Sequence, residues 1–386
     1  MTAIPLHKPV IDDVRDGIRR RILDYARARC VGPDEPPSRG PSRAMARGRF
    51  ADRPGTDRPT LMGTVDFAYA FHITGLLDDL ATPDDRLRWI ELVLSFQGED
   101  GWFRAGDRQT HGVEHATAYA LGAVQILAGT RIRADAFALR PLTGLRGQLA
   151  PHPSARQAAF AVTLLDRIHF WRGSHRVGGI AAIVGAVRDL RLDSARLLGL
   201  DDPDAWLRGW AGHALARVSP TDGMWHEAPA ALQMAFDTVY RLRHDPGHAR
   251  IGGAAHLYWI ISRLGIPYPH PQALIDAVAP RVGPEGLCER HPYCLDFDAA
   301  FLLARAADQL DAAGPAAAPT IERAGLTLER SRRAVLAWLE ERGPERWPDG
   351  SHFLPGALAA VAEADRRLPP AQARGWTDAF ETVWWL

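Results

Sequence analysis

At three points of the chain an acidic residue precedes an aromatic residue by one helical turn. A fourth, similar tetrapeptide has the aromatic residue but no acid. The tetrapeptides are DFAY at 66–69, ATAY at 116–119, DTVY at 237–240 and DAAF at 298–301. Residues three apart lie on one helix face, so each acid and its aromatic partner point the same way. Carboxylates that gather in one place raise one another's pKa, which creates a general acid near neutral pH. The candidate catalytic carboxylates are Asp66, Asp237, Asp296 and Asp298.

An aspartate in the first turn of a helix also has a purely structural interpretation, because capping and the helix dipole favour it there. Asp296 and Asp298 lie on either side of Phe297. Neighbours two apart on a helix diverge, so at most one of these two carboxylates is expected to point straight into a cavity. The sequence leaves both interpretations open for the whole set.

Residues 111–115 read HGVEH and match the H-x-x-E-H pattern of one class of zinc peptidase. That site needs both histidines on one regular helix and a further carboxylate ligand. The turn upstream places His111 before the helix, so we predict no metal site. His115 follows its turn glycine at the same distance as Asp237 follows its own, which makes it a candidate proton shuttle. His111 and Glu114 are candidates for substrate contact.

Aromatic side chains around these acids are candidates for the lining of a pocket, since aromatic faces stabilise cations and also stack on sugar rings. At any one position, packing in the helix core is the alternative. The candidate substrate-binding aromatics are Trp102, Tyr119, Trp225, Tyr240, Phe297 and Phe301. The segment RGSHRVGG, residues 172–179, is expected to begin a helix and is a candidate for holding a phosphate or carboxylate at its N-terminus.

The elements that must position these side chains are predicted to be helices almost throughout. From Leu61 onward, Ala and Leu recur with a helical period, and breaks fall at Gly and Pro clusters. Helices are predicted over about 64–80, 84–97, 114–128, 154–171, 176–192, 203–217, 229–243, 250–264, 271–281, 293–311, 321–342 and 354–367.

One turn sequence recurs between these predicted helices. It reads EDGWF at 99–103, TDGMW at 221–225, PEGLC at 284–288 and PDGSHF at 348–353. The glycine permits the positive φ of a sharp reversal, and the acid before it can bind the turn backbone. Helix pairs that repeat in this way must stack to bury their apolar faces. We expect an all-α fold, an α/α toroid in which inner helices line a central cavity and outer helices surround it.

Three regions follow from this pattern. Residues 1–30 are predicted to contain an N-terminal helix, 31–60 form a linker rich in Pro, Arg and Gly, and 61–386 form the toroid domain.

The segment FQGEDGWF, residues 96–103, and the helix sequence HATAYALGAVQIL after it resemble the repeat of terpenoid cyclases and protein prenyltransferase β subunits. The resemblance covers about residues 96–127 and implies a barrel of about six helical hairpins. CLDFDAAF, residues 294–301, further resembles the Asp-x-Asp-Asp motif of class II terpene cyclases, with Ala299 at the last position. That match implies that Asp298 is a proton donor.

Three functions are open on these grounds. The first is an enzyme that uses acid catalysis by Asp298 on an isoprenoid substrate, as the resemblance implies. The second is a carbohydrate-active hydrolase, lyase or epimerase, since the same barrel serves such enzymes. The third is a helical-repeat protein whose cavity only binds a ligand. A deep apolar cavity favours the first, polar groups with aromatic platforms favour the second, and a filled centre favours the third.

Composition narrows the class of partner. The formal net charge is zero, so the chain has no overall basic bias toward nucleic acid. No run of about 18 apolar residues predicts a membrane span, and the N-terminus has no apolar stretch typical of a secretory signal. The three cysteines form no paired pattern. We expect a cytoplasmic protein that acts on a small molecule without a cofactor, and the sequence leaves its oligomeric state open.

Overall fold

The computed structural model describes residues 10–32, 42–105, 112–149, 163–226, 228–368, 373 and 375–386. Within these ranges the chain contains helices and isolated β-bridges but no β-strand, so the predicted all-α class is confirmed. The described helices are α1 (Val10–Arg27), α2 (Arg43–Ala46), α3 (Leu61–Ile73), α4 (Leu76–Leu80), α5 (Pro83–Ser95), α6 (Val113–Ala128), α7 (Thr143–Leu149), α8 (Leu164–Ile168), α9 (Phe170–Asp189), α10 (Ser194–Leu198), α11 (Pro203–Leu215), α12 (Ala230–Tyr240), α13 (Pro246–Arg263), α14 (Pro271–Val278), α15 (Cys294–Ala313), α16 (Ala318–Glu341) and α17 (Phe353–Asp365).

Helix starts follow local chemistry that is readable in the sequence. The Thr82 hydroxyl caps α5, and the Asp202 and Asp245 carboxylates cap α11 and α13. Each of these three helices has proline in its first turn, where a missing N–H costs nothing and the fixed φ suits the helix. These signals account for the agreement of most predicted helix starts with the observed ones.

Six nearly fully buried helices, α3, α6, α9, α13, α15 and α17, follow one another as neighbours. Each of them contacts the next, and α17 contacts α3. This cyclic order of neighbours is the one that the toroid expected from the sequence requires. Small residues allow the close approach: a Cβ on Gly179 would lie 3.0 Å from the carbonyl carbon of Glu114, and one on Gly356 would lie 2.5 Å from the Cys294 nitrogen. We call these six the ring helices.

Three of the four recurrent turns have the backbone that their glycine predicts. The φ angles of Gly101, Gly223 and Gly286 are 85°, 66° and 94°. At each turn an added Cβ would also meet neighbouring backbone, for instance the Pro141 carbonyl oxygen at 2.3 Å from the Cβ at Gly101. A side chain there is excluded by both strain and space, so these glycines fix the hairpins of the repeat.

Two expectations about helix placement are wrong. The helix that was expected to begin near 176 begins at Phe170. Only Arg172 and Gly173 of residues 172–179 lie in the first turn of α9, so the segment does not start the helix as expected. Asp237 does not lie at the start of a ring helix either, because it is near the end of the short helix α12. The ring helix of that repeat is α13, which begins at Pro246 after the Asp245 cap.

The two ends of the sequence pack into the same core as the ring helices. Ile18 and Ile22 of α1 and Phe50 of the region 42–60 are fully buried. At the other end, Trp384 and Trp385 are 1% exposed. The segment 383–385 makes hydrogen bonds to side chains of α3, α6, α9 and α13, and so it occupies space between four of the six ring helices.

Candidate functional site

A cavity of about 300 Å³ opens among the ring helices. It is walled mainly by α6, α9, α15 and α17, while α12 contributes one aromatic residue at its edge. The lining residues are His115, Tyr119, His169, Trp171, Arg172, His175, Tyr240, His256, Cys294, His352, Pro355, Gly356 and Leu386. This size lies at the lower end of the range for small-molecule pockets, about 300–1,000 Å³.

Four histidines from four parts of the ring meet in this cavity. The ring of His115 lies 4.7 Å from that of His175, 5.9 Å from that of His352 and 6.4 Å from that of His256, centre to centre. His175 and His256 are 5.2 Å apart. The sequence singled out only His115 as a catalytic candidate. The other three come from separate elements with no common spacing, and only His352 had a signal, as part of the fourth recurrent turn.

A buried carboxylate holds His352 in one orientation. The His352 Nδ1 lies 2.9 Å from Oδ1 of Asp66, and the Tyr119 hydroxyl donates to the same oxygen at 2.9 Å. The Ser351 hydroxyl donates to Oδ2 of Asp66 at 2.6 Å. A carboxylate can only accept, so Nδ1 carries the proton of the neutral imidazole and Nε2 is the acceptor. A histidine oriented in this way by an acid is suited to act as a general base.

His115 is held in the opposite tautomer. The indole nitrogen of Trp385 donates to His115 Nδ1 at 2.9 Å. Indole has no acceptor, so Nδ1 of His115 accepts and the proton of the neutral ring is on Nε2. His256 resembles His352 in this respect: the Ser174 hydroxyl donates to the Trp171 carbonyl at 2.6 Å and therefore accepts from His256 Nδ1 at 2.8 Å. The cavity thus contains both a donor and acceptors among its neutral imidazoles.

Asp296 has the structural role that the sequence left open. Its carboxylate accepts the backbone N–H of Tyr293 at 3.0 Å and that of Cys288 at 2.8 Å, which completes a capping box at the start of α15. Burial raises the pKa of Asp296 to about 6. It does not line the cavity.

Asp298 is a buried acid behind the cavity wall. It is 2% exposed and lies one helical turn after Cys294, whose side chain lines the cavity. Burial, and after it the charge of Asp296, raises the pKa of Asp298 well above its ordinary value. Among the described residues, none provides a hydrogen-bond partner for its Oδ2. Burial therefore favours the protonated form of the Asp298 carboxyl.

The structure does not bring the candidate carboxylates Asp66, Asp237 and Asp298 together. Asp237 forms an ion pair with Arg250 and accepts from Gln233 at 2.9 Å, in shallow pockets outside the ring. The equal spacing after the turn glycine that grouped it with His115 is a coincidence, because the extra helix α12 intervenes before the ring helix. Only Asp66 contacts the cavity's own side chains.

The predicted aromatic lining divides into two groups. Tyr119 and Tyr240 line the cavity, and burial raises the pKa of both hydroxyls. The remaining aromatics are buried in the core, which is the alternative stated for them. Trp225 packs 4.4 Å from Phe170, Phe297 and Phe301 pack 5.3 and 5.0 Å from Trp259, and Trp102 lies beneath Gly144.

The remaining candidates of the HGVEH segment are Glu114 and His111. Glu114 is mostly buried and lies 3.3 Å from Arg176, outside the cavity lining. His111 lies outside the described residues. In the part of the chain that the structure describes, no group of three or more His, Cys, Asp or Glu side chains is arranged to hold a metal ion.

No protein-family model, curated protein or solved structure matches this chain.

Proposed function

We propose that the protein is an enzyme that transfers protons on a small carboxylate-bearing sugar, as a lyase or epimerase does. The observation that carries this proposal is the pairing of two histidines in opposite tautomers. In its neutral form His352 has its acceptor on Nε2, because Asp66 binds Nδ1, and His115 has its proton on Nε2, because the Trp385 indole donates to Nδ1. Their rings are 5.9 Å apart, on one cavity.

The other lining residues suit such a substrate. Trp171 and Tyr240 offer aromatic faces on which a sugar ring can stack. Arg172 offers a planar guanidinium of the kind that binds carboxylates in a bidentate manner. A bound carboxylate whose charge is neutralised acidifies the carbon next to it, which is the position that a base must deprotonate.

Proton abstraction next to the carboxylate can lead either to elimination or to epimerisation. His352 Nε2 takes the proton from the carbon next to the carboxylate and leaves an enolate. In a lyase, the electron pair then forms a double bond as the substituent on the next carbon departs with a proton from His115. In an epimerase, the enolate instead takes a proton from His115 on its opposite face. Each outcome leaves His352 as an imidazolium and His115 as an imidazolate, and transfer of a proton from His352 to His115 restores both neutral rings.

A second candidate rests on Asp298. A protonated carboxyl is what acid-initiated chemistry on an isoprenoid double bond needs, and burial raises the pKa of Asp298 in that direction. It stands one turn behind Cys294 rather than in the lining itself. This position makes it the weaker of the two candidates.

The test compares His352→Asn, Asp66→Asn and Asp298→Asn against panels of uronic oligosaccharides and isoprenoid diphosphates. We expect turnover of a uronic substrate with deuterium uptake from heavy water, and a loss of about 100-fold or more in His352→Asn. His226→Asn is the matched control, since His226 pairs with Asp222 at 2.7 Å outside the cavity. Isoprenoid turnover lost only in Asp298→Asn would establish the second candidate. Full activity in all three variants, or binding without turnover, would contradict both.

A further inference from the structure

Exposed apolar side chains are concentrated on two short helices beside the cavity. Six of the seven large hydrophobic residues that stand exposed in the described chain lie on α8, on α12 or just after α12. They are Leu164 (52% exposed), Leu165 (59%), Leu232 (42%), Met234 (68%), Val239 (68%) and Leu242 (82%). We call this set the apolar patch. The seventh is Leu326 on α16, at 61%.

Helix α12 carries large apolar side chains on its outward side as well as on its inward side, where the Phe236 ring lies 5.5 Å from that of His169. Its inward side carries Gln233, which donates to the Ile168 carbonyl of α8 and to Asp237, and Asp237 in turn binds Arg250 of α13. Its outward side carries Leu232, Met234 and Val239. None of the eleven residues of α12, all of them described, is buried. Apolar surface grouped in this way marks a contact with something else.

The charges beside the apolar patch indicate what covers it. Arg241 and Arg243 are exposed on either side of Leu242. The nearby carboxylates of Asp237 and Asp245 are already paired, with Arg250 and Arg281. A second copy of the chain on this face would bring like charges together, which opposes self-association. An anionic lipid surface accepts both the apolar side chains and the arginines.

We infer that the apolar patch docks the protein on the surface of an anionic phospholipid bilayer. Helix α12 lies in the interface, with Leu232, Met234 and Val239 in the acyl boundary and Arg241 and Arg243 at the head groups. No described helix is long and apolar enough to cross a membrane, so this is attachment to one face. His169, which directly follows α8, and Tyr240, the last residue of α12, line the cavity, so the docked face lies at the cavity entrance. The inference does not depend on the proposed reaction.

The test is sedimentation of the full chain with vesicles of phosphatidylcholine alone or mixed with phosphatidylglycerol. We expect binding to the mixed vesicles and a partition coefficient lower by about tenfold or more in the double variant Leu232→Ser, Met234→Ser. The matched control is Leu326→Ser, which removes an equally exposed leucine far from the patch in sequence and should bind as the parent does. The double variant Arg241→Gln, Arg243→Gln should have a partition coefficient about tenfold lower than that of the parent, on mixed vesicles only. The difference between this variant and the parent should shrink at high salt.

Three results would overturn the inference. The first is a parent protein that does not sediment with mixed vesicles. The second is an equal loss in Leu326→Ser and in the double serine variant. The third is a two-copy assembly, seen by light scattering, which the double serine variant separates while neither protein binds vesicles. Melting curves of the surface variants should match that of the parent, which separates lost docking from lost folding.

Discussion

The Nδ1 of His352 lies 2.9 Å from Oδ1 of Asp66, although the two residues are 286 positions apart in the chain. Asp66 belongs to α3, the first ring helix, and His352 immediately precedes α17, the last. The same carboxylate oxygen accepts the hydroxyl of Tyr119 on α6. The pair therefore forms where the last ring helix contacts the first, and the geometry of the cavity depends on that contact.

Asp66→Asn is expected to destabilise the protein by about 1–3 kcal/mol, because three buried donors lose a charged acceptor. Denaturant unfolding measures the change. Asp222→Asn provides the comparison, since Asp222 makes the same kind of pair with His226 at a more exposed site, where about 0–1 kcal/mol is expected. Equal losses in the two variants would contradict the role given to the buried pair.

Gly185→Ala is expected to lower the free energy of unfolding by about 1–3 kcal/mol, because its Cβ would overlap a tryptophan. A Cβ at this position of α9 would lie 2.2 Å from the Trp384 ring. Gly212→Ala is the matched control: it also lies in a helix, but a Cβ there meets nothing within 4 Å. The free energy of unfolding of the control should rise by about 0.5–1 kcal/mol, because alanine has a higher helix propensity than glycine. A similar effect at both glycines would mean that the segment 383–385 does not occupy the ring.

Asp298→Asn is expected to change the pH dependence of stability. The folded pKa of Asp298 is raised by burial, so its contribution is fully present below the unfolded pKa of about 4 and is lost as pH rises toward the folded value. An asparagine cannot lose that contribution. Relative to the parent, the variant should therefore become more stable between pH 5 and pH 8, as measured by urea unfolding at several pH values. A difference that stays constant with pH would show that Asp298 is ionised in the folded protein.

Local signals in the sequence predicted most helices and three of the four recurrent turns, because caps, prolines and glycines act over a few residues. Asp245 followed by Pro246 shows this for α13. Predictions from residue spacing were wrong where an additional helix lies between a turn and its ring helix, as α12 does at Asp237. Spacing also did not show that Asp298 lies behind the cavity wall, since the sequence does not tell whether a helix position faces a cavity or the core behind it.

The histidine cavity could not be predicted from the sequence for a different reason. His175 and His256 lie on two different ring helices and His352 directly precedes a third, and each is ordinary in its own segment. Their proximity depends on how the ring helices pack, which no local pattern encodes. The role of Trp385 is equally long-range, since it lies 270 positions from the histidine it binds.

Trp385→Phe is expected to release His115 from its fixed tautomer. In the parent, the Trp385 ring stacks on His256 at 4.4 Å between ring centres. A phenyl ring keeps this stacking but cannot donate to His115 Nδ1. Nitrogen-15 NMR of the imidazoles distinguishes the two neutral tautomers, and we expect a single tautomer for His115 in the parent and a mixture in the variant. The buried acceptor left unpaired should also cost about 1–3 kcal/mol of stability.

Trp384→Phe is the matched control for this change, because the Trp384 indole donates to Asp189 at 2.6 Å, outside the cavity lining. It should lower stability while leaving the His115 signals as they are in the parent. If His115 keeps one tautomer in Trp385→Phe, some other group fixes its proton, and the assignment of His115 as the donor opposite His352 loses its basis. If both tryptophan variants disturb His115 equally, the segment 383–385 acts only by packing, and Trp385 has no positioning role of its own.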